Sequence, residues 1–313
     1  MSVDRALQGV LMILVLIGAG ALAARLGHLT EELEASLSRL TINFSVPALL
    51  FSSTVTHISR DFLRQAGWLL LIPFGCMLLG YGLGFALRVL CRVPRGDTGV
   101  FLVMFALSNS IFIGLPVAME IFGEPAMPYV VTYFPFNTTL FWTLGNLGIA
   151  ADGGRRPASV GAAVRKIFSP PFIGFLAGFA AALTGLALPP FLMQSLTYLG
   201  NLTIPVTLLT TGAVLSRMGR ASLRLGRAGW LTLLGRLVLM PGTTMAACLL
   251  CGAPPMMTGV FTMIAAMPVM NQCVIMARIH GANHRLAAQM LTVSTLFSLA
   301  GIPLWVLVLR WLT

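Results

Sequence analysis

The sequence predicts an all-helical integral membrane protein with ten transmembrane helices, arranged as two inverted repeats of five. Three observations predict this class: the composition, the spacing of the apolar segments, and motifs that recur in both halves. Of the 313 residues, 57% are hydrophobic and only 9% are charged, and the mean hydropathy is +0.90. Because a soluble domain carries about 25% charged residues, most of this chain must face lipid rather than water.

Ten apolar segments are long enough to cross a bilayer, which takes about 20 helical residues. They lie at residues 6–24, 34–54, 67–90, 99–122, 127–150, 168–187, 191–215, 227–250, 256–278 and 286–311. The only sizeable hydrophilic connection, residues 151–167, separates five spans from five. We therefore expect a first repeat at residues 1–150 and a second at 168–313. An odd number of spans in each half gives the two halves opposite orientations.

The positions of the basic residues predict the orientation, because Lys and Arg are retained on the cytoplasmic side. Fifteen of the twenty basic residues lie on the odd-numbered connections, four lie on the even connections and the termini, and Arg236 lies inside span eight. This bias predicts a protein of the cytoplasmic (inner) membrane with both termini outside. Topology thus accounts for the net charge of +11, and we expect no binding to nucleic acid.

Motifs shared by the two halves predict the inverted repeat. Span two contains Asn-Phe-Ser-Val-Pro and span seven contains Asn-Leu-Thr-Ile-Pro, while spans four and nine both open with Gly-Val-Phe and carry a central proline. The matched polar and kink positions are Asn43, Pro47, Asn201 and Pro205. Inverted repeats are an architecture of secondary transporters, in which the halves exchange conformations.

Spans four and nine place polar and helix-breaking residues in the middle of apolar segments, at 108–116 and 265–272. Proline removes a backbone N–H, and unwound backbone survives in a membrane only inside protein or beside a cavity. One such segment alone is typical of a packing kink, but a matched pair favours a site where half-helix N-termini converge on an anion. The predicted substrate contacts are Asn109, Ser110, Asn271 and Gln272, with Pro116 and Pro268 at the breaks.

Residues 108–145, 200–217 and 265–307 resemble the corresponding spans of the auxin efflux carrier family, and the resemblance extends over essentially the whole chain. It is greater to bacterial permeases of malonate and other organic acids than to plant auxin transporters. It implies a fold similar to sodium/proton antiporters and bile-acid transporters, with crossed helices four and nine broken at Pro116 and Pro268. It also implies that Asn109 contacts the substrate carboxylate and that span five contributes polar positions near Asn137.

The same resemblance implies a division into two structural units. Spans 1, 2, 6 and 7 would form a scaffold, often dimeric, and spans 3–5 and 8–10 would form a moving transport domain. The chain departs from sodium-coupled relatives because span nine has no acidic residue and no span interior contains Asp. A carboxylate in the membrane is the usual sign of a proton or sodium site, so its absence favours uniport or weak coupling.

Arg236 is the one charge expected inside the membrane. It would attract an anionic substrate or pair with a distant acid, or it would extend to the interface as long basic side chains do. His280 and His284 are spaced like a metal pair but have no acidic or thiol neighbour in the sequence. We therefore expect no metal site and no cofactor.

The sequence predicts a secondary carrier and not an enzyme. It would move a small organic anion, a carboxylate such as malonate or an auxin-like acid, by an elevator-type alternation of access. Two alternatives are a sodium- or proton-coupled carrier of the bile-acid type, and a non-transporting membrane sensor with the same fold. The expected partners are the organic acid, the lipid bilayer and a second copy bound through the scaffold helices.

Overall fold

The computed structural model describes residues 3–154, 161, 165, 167–186, 188–217 and 225–312, and over these residues all regular secondary structure is helical. Several basic residues used to predict orientation lie outside the described residues, namely Arg155, Arg156, Lys166, Arg220 and Arg224. The helices of the first half are α1 (Val3–Arg25), α2 (Glu31–Leu40), α3 (Val46–His57), α4 (Arg60–Ala66), α5 (Ile72–Leu90), α6 (Thr98–Ala106), α7 (Leu115–Phe122), α8 (Met127–Leu140) and α9 (Asn146–Asp152).

The helices of the second half are α10 (Pro170–Thr184), α11 (Pro190–Asn201), α12 (Thr203–Ser216), α13 (Arg227–Leu234), α14 (Met240–Leu250), α15 (Pro255–Ala265), α16 (Asn271–His280) and α17 (His284–Leu312). Short 3₁₀ or π-helical turns join several of them into longer rods. Five rods are long and apolar enough to cross a membrane: Arg60–Leu90, Arg95–Phe122, Pro190–Ser216, Arg227–Leu250 and His284–Trp311. Three shorter helical segments are also apolar: Leu11–Arg25, Pro170–Thr184 and Pro255–Ala265.

The outer surface of the molecule is strongly apolar. Val15 is 69% exposed, Leu250 is 88% exposed and Trp311 is 88% exposed, and they are part of a much larger set of exposed apolar side chains. In water such a surface would cause association, whereas in a bilayer it meets acyl chains. The composition and the surface therefore agree on a membrane environment.

Prolines follow three of the four π-helical turns of the described residues. Pro47, Pro116 and Pro241 each lie two residues after such a turn, at Thr41–Ser45, Ser110–Gly114 and Gly235–Leu239. A proline ring clashes with the carbonyl four residues earlier, and a wider turn relieves that clash. Behind Pro241 the freed carbonyl of Leu237 accepts a hydrogen bond from the indole N–H of Trp305 at 2.7 Å. These prolines widen their helices without interrupting them.

The helices pack as two groups. In the first group, α1 packs on α12, α12 contacts α11, and α3 packs on both α10 and α11. The second group contains α5, α6, α14 and α15, together with α8, α9, α16 and α17. Glycines permit the closest contacts: a Cβ on Gly20 of α1 would lie 2.0 Å from the Leu209 carbonyl oxygen, and one on Gly178 of α10 would lie 2.7 Å from that of Phe51. Small residues let membrane helices approach closely.

Two helices are interrupted inside the second group, and the interruptions meet. Helix α6 ends at Ala106 and the chain becomes helical again at Ser110, while α15 ends at Ala265 and α16 begins at Asn271. The Asn109 N–H donates to the Pro268 carbonyl at 2.9 Å. At its other end α6 is capped by Asp152, which accepts from the Val100 N–H at 2.8 Å. Burial raises the pKa of the Asp152 carboxyl, and backbone N–H groups partly oppose that rise.

Candidate functional site

A small cavity of about 40 Å³ lies beside the two interruptions. Its polar lining comes from the first interruption, from α8 and from the start of α16: Ser108, Asn109, Ser110, Asn137, Thr138 and Gln272. The opposite wall is apolar and includes Ile42, Val46 and Pro171, which belong to the other helix group. The cavity therefore lies at the boundary between the two groups, with its polar side on the interrupted helices.

Asn137 completes the hydrogen bonding of the first interruption. Its side-chain oxygen accepts from the Ser108 N–H at 3.3 Å, and its amide donates to the Ser108 carbonyl at 2.8 Å and to Ser110 Oγ at 3.3 Å. The side chain thus replaces the helical partners that Ser108 lacks, as unwound backbone in a membrane requires. The Asn137 side chain also lines the cavity, and its predicted contact with a substrate stays a prediction.

Asn109 is the N-cap of the helical segment that follows the interruption. Its side-chain oxygen accepts from the Phe112 N–H at 3.3 Å, and its backbone carbonyl accepts from the Gly114 N–H at 2.9 Å. Asn109 and Ser110 are each 3% exposed. The N-terminus of this half-helix borders the cavity, so its partial positive charge faces the enclosed space.

Gln272 and Asn271 lie at the start of α16 but face different spaces. Gln272 lines the cavity beside Asn109, whereas Asn271 lines a smaller one of about 10 Å³ together with Thr211 and Thr295. The N-cap of α16 is Met270, which makes no side-chain capping hydrogen bond. The first N–H groups of α16 therefore have no side-chain cap. The N-terminal end of a second half-helix thus borders the same cavity.

Arg236 is 0% exposed and stabilises the opposite ends of the interrupted helices. Nη1 donates to the Phe105 carbonyl at 3.1 Å, Nε donates to that of Met267 at 3.2 Å, and Nη2 donates to that of Ala265. These carbonyls belong to the C-terminal ends of α6 and α15, which carry partial negative charge. The only ion pair recorded over the described residues joins Arg217 to Glu34, so the acceptors of the buried guanidinium are backbone carbonyls.

Comparison with known proteins gives the family. A family described as membrane transport protein matches residues 6–306. The chain belongs to this family, the auxin efflux carriers. An uncharacterized transporter of Methanothermobacter thermautotrophicus is 30% identical over 309 residues, covering 96% of this chain and 98% of its own. An uncharacterized transporter of Methanocaldococcus jannaschii is 24% identical over 304 residues, which cover 95% of this chain and 96% of the relative.

The remaining predicted positions of this family member do not line the cavity. Pro116 is buried in α7, seven residues beyond the interruption at Asn109, and Pro268 lies inside the second interruption. Asn43 and Asn201 are exposed on the first helix group; the Asn43 amide donates to the Arg39 carbonyl at 2.9 Å. Pro47 and Pro205 lie near the starts of α3 and α12. The predicted role of these residues in binding stays a prediction.

Sequence reasoning did not single out two other positions, Thr138 and Ile42. Thr138 lines the cavity, and Ile42 forms part of its apolar wall. Thr138 directly follows Asn137, so it was adjacent to a recognised signal. No local signal identifies Ile42, because its contact with the cavity depends on how the two helix groups pack.

Proposed function

We propose that the protein is a secondary carrier of small organic anions, carboxylates such as malonate or an auxin-like acid. One observation carries the proposal: two half-helix N-termini border a single cavity, while Arg236 binds the carbonyls of the two C-terminal ends. N-terminal ends of helices favour anions through their free N–H groups and partial positive charge. Because Arg236 neutralises the partial negative charge of the C-terminal ends, the partial positive charge of the N-terminal ends dominates at the cavity.

The proposed architecture has ten membrane-crossing segments in two inverted repeats, with crossed interrupted helices and both termini outside the inner membrane. Spans 1, 2, 6 and 7 form the scaffold, and spans 3–5 and 8–10 form the moving domain. This division is supported by the two helix groups that pack mainly within themselves. A cavity at their boundary suits an elevator motion, because displacement of one group relative to the other changes its access.

The site in this structure is too small for the proposed substrate. A volume of about 40 Å³ has room for a few water molecules. A dicarboxylate therefore enters only after the two groups separate at the apolar wall formed by Ile42 and Val46. On this proposal the described conformation is a closed state of the carrier.

Transport is proposed to be independent of sodium. The residues that line the cavity include no Asp or Glu, which are the usual ligands of a transported cation in the membrane. A permanent guanidinium already binds the carbonyl ends at the crossing. The guanidinium of Arg236 therefore supplies the positive charge that a bound sodium ion would supply in a cation-coupled carrier.

A homodimer is the proposed assembly. Asn43, Phe44, Asn201 and Tyr198 are exposed on α11 and on the π turn between α2 and α3, with Phe44 61% and Tyr198 68% exposed. Polar side chains exposed toward lipid are unfavourable. A second copy packed on this face would cover both asparagines.

Uptake of labelled malonate by the purified protein in liposomes tests the function. Gln272→Ala removes a side-chain amide that lines the cavity and that makes no recorded hydrogen bond within the described residues. We expect this change to raise KM for malonate about tenfold or more, because a hydrogen bond to a charged carboxylate is lost. Asn271→Ala, the adjacent residue on the other cavity, is the matched control and should change KM less than threefold.

The same assay separates the alternatives. Wild-type uptake should be equal when Na⁺ is replaced by K⁺; a sodium requirement would contradict the uncoupled mechanism. Ligand-induced thermal stabilisation without flux, across a panel of mono- and dicarboxylates, would favour a sensor. Wild-type kinetics in Gln272→Ala would remove this residue from the proposed site.

A further inference from the structure

The rods that form spans three and eight begin and end with matching sequences. Span three begins with Gly-Trp-Leu-Leu-Leu (67–71), and span eight contains Gly-Trp-Leu-Thr-Leu (229–233) in its first turns. The first ends with Leu-Cys-Arg-Val-Pro (90–94) and the second with Leu-Cys-Gly-Ala-Pro (250–254). In the inverted arrangement proposed above, these matched ends lie on opposite sides of the membrane.

The two C-terminal ends also have the same backbone structure. At the end of span three, the Arg92 N–H donates to the Val89 carbonyl and the Val93 N–H donates to the Arg88 carbonyl. At the end of span eight, the Gly252 N–H donates to the Leu249 carbonyl and the Ala253 N–H donates to the Cys248 carbonyl. This is the Schellman arrangement, whose C′ residue adopts the left-handed conformation and is usually Gly. Gly252 has φ 68°, and Arg92 has φ 55°, the one non-glycine residue with positive φ recorded over the described residues.

An arginine at this position is strained relative to glycine, because its Cβ disfavours the left-handed region. The other repeat shows the unstrained solution to the same turn, Gly252. Strained residues persist where the surrounding structure or a function retains them. Retention of arginine at this strained position therefore indicates a role for its side chain.

Each matched end borders a surface groove, and the two grooves differ in charge. The groove at Trp68 and Cys251 measures about 320 Å³ and has no charged lining residue. The groove at Trp230 and Cys91 measures about 590 Å³ and is lined by Leu90, Cys91, Arg92, Arg227, Trp230 and Leu231. The position that matches Arg227 in span three is Gln65, two residues before the Gly-Trp pair. Of the two grooves at matching ends of the repeats, only one is thus lined by arginine.

Within the part of the chain that the structure describes, neither arginine has an acidic partner. Arg92 and Arg227 are exposed and take part in no ion pair recorded over the described residues. The neighbouring segment 218–224, which is not described, contains no Asp or Glu in its sequence. Beside the two charges, Leu90 is 78% exposed and Trp230 is 59% exposed. The groove therefore combines two free cations with apolar and interfacial aromatic surface.

We propose that the groove formed by Leu90, Arg92, Arg227 and Trp230 binds an anionic phospholipid of the cytoplasmic leaflet. The guanidinium groups bind the headgroup phosphate, Trp230 lies at the level of the headgroups, and Leu90 and Leu231 contact the acyl chain. Basic pockets between helices on the cytoplasmic side are suited to acidic lipid headgroups. The matched neutral groove faces the other leaflet. The site is separate from the proposed carboxylate cavity.

Lipid retention by the purified protein in neutral detergent tests this proposal. Native mass spectrometry should show phosphatidylglycerol retained in preference to phosphatidylcholine with the same acyl chains. Arg92→Gly should lower the affinity for phosphatidylglycerol about fivefold, and Arg92→Gly with Arg227→Gln about 25-fold, at about 1 kcal/mol per arginine. Arg64→Gln, an exposed arginine at the opposite end of span three, is the control and should leave the affinity unchanged.

The Arg92→Gly variant also separates binding from folding. Glycine suits the left-handed conformation, so its melting temperature without added lipid should equal or exceed that of the wild type. Equal retention of the two lipids by the wild type, or unchanged preference in the double variant, would overturn the proposal. So would binding of sn-glycerol 3-phosphate as tight as that of the lipid, because the groove would then be a site for a soluble phosphate.

Discussion

Arg236 illustrates how one side chain stabilises an interrupted region inside the membrane. Its three donating nitrogens bind carbonyls of Phe105, Ala265 and Met267, so one guanidinium serves two helix C-termini. A charge without water is costly unless hydrogen-bonded. The helix dipoles and the carbonyl lone pairs supply that stabilisation here. Asn137 has the complementary role, because it binds both backbone groups of Ser108.

Replacement of Arg236 should therefore destabilise the protein strongly. Arg236→Leu leaves three buried carbonyls without their donors, each at a cost of about 1–3 kcal/mol, and Arg236→Lys retains the charge but not the planar fork. Thermal unfolding in detergent should show the largest decrease for Leu and a smaller one for Lys. Arg310→Leu, at an exposed arginine, should have little effect. A melting temperature of Arg236→Leu equal to that of the wild type would contradict this role.

At the scale of the helices, glycines and prolines determine how closely and at which angle the rods pack. Each π turn that precedes Pro47, Pro116 or Pro241 adds a residue to one turn of helix and so rotates the following side chains relative to the preceding ones. On α1, Gly20 contacts the backbone of α12, whereas Gly18 has no atom within 4 Å of an added Cβ. The same substitution at these two glycines should have opposite consequences.

Gly20→Ala should separate α1 from α12, because the new Cβ would lie 2.0 Å from the Leu209 carbonyl oxygen. A contact below 3.0 Å with backbone forces a shift of the helices, so we expect a loss of at least 1–3 kcal/mol, as for other overpacked sites. Gly18→Ala should be neutral or slightly stabilising, since alanine favours the helix. Thermal unfolding of the two variants in detergent makes the comparison, and equal melting temperatures would contradict close packing at Gly20.

At the scale of the whole molecule, the polar cavity lies where one helix group meets the other. Its polar side comes from the interrupted helices and its apolar side from residues such as Ile42 and Val46. Apolar contacts at that boundary can separate without leaving buried polar groups unpaired, unlike the hydrogen-bonded crossing itself. In the proposed elevator mechanism, the boundary is therefore where the two groups separate, and the hydrogen-bonded crossing moves as one body.

A covalent bridge across the boundary should stop transport. In a variant without its five cysteines, Ile42→Cys and Phe112→Cys place thiols on opposite sides of the cavity. A short bifunctional thiol reagent should abolish malonate uptake by the double variant, and a reductant should restore it. Each single variant treated with the same reagent is the control. Undiminished uptake by the bridged protein would exclude relative motion of the two groups at this boundary.

The class of the molecule and the approximate positions of its irregular segments follow from the amino-acid sequence alone. Apolar runs located the helices, because lipid-facing segments must be apolar along their length. Pro268 lies inside the second interruption, as predicted, because the backbone restriction of proline is local. The first interruption lies instead at Ser108 and Asn109, and Pro116, where the break was predicted, follows it by seven residues in continuous helix. The family resemblance also followed from contiguous segments such as 108–145.

The contacts of each polar side chain, in contrast, depend on the three-dimensional packing of the helices. Gln272 and Asn271 are neighbours on one helix and line different cavities, and Asn137 lines the first cavity while its amide donates to the Ser108 carbonyl. The acceptors of Arg236 lie 29 to 131 residues away in the chain. Such contacts depend on helix rotation and on the approach of distant segments, which periodicity cannot specify. The sequence likewise does not specify the left-handed backbone conformation of Arg92, which matches that of Gly252.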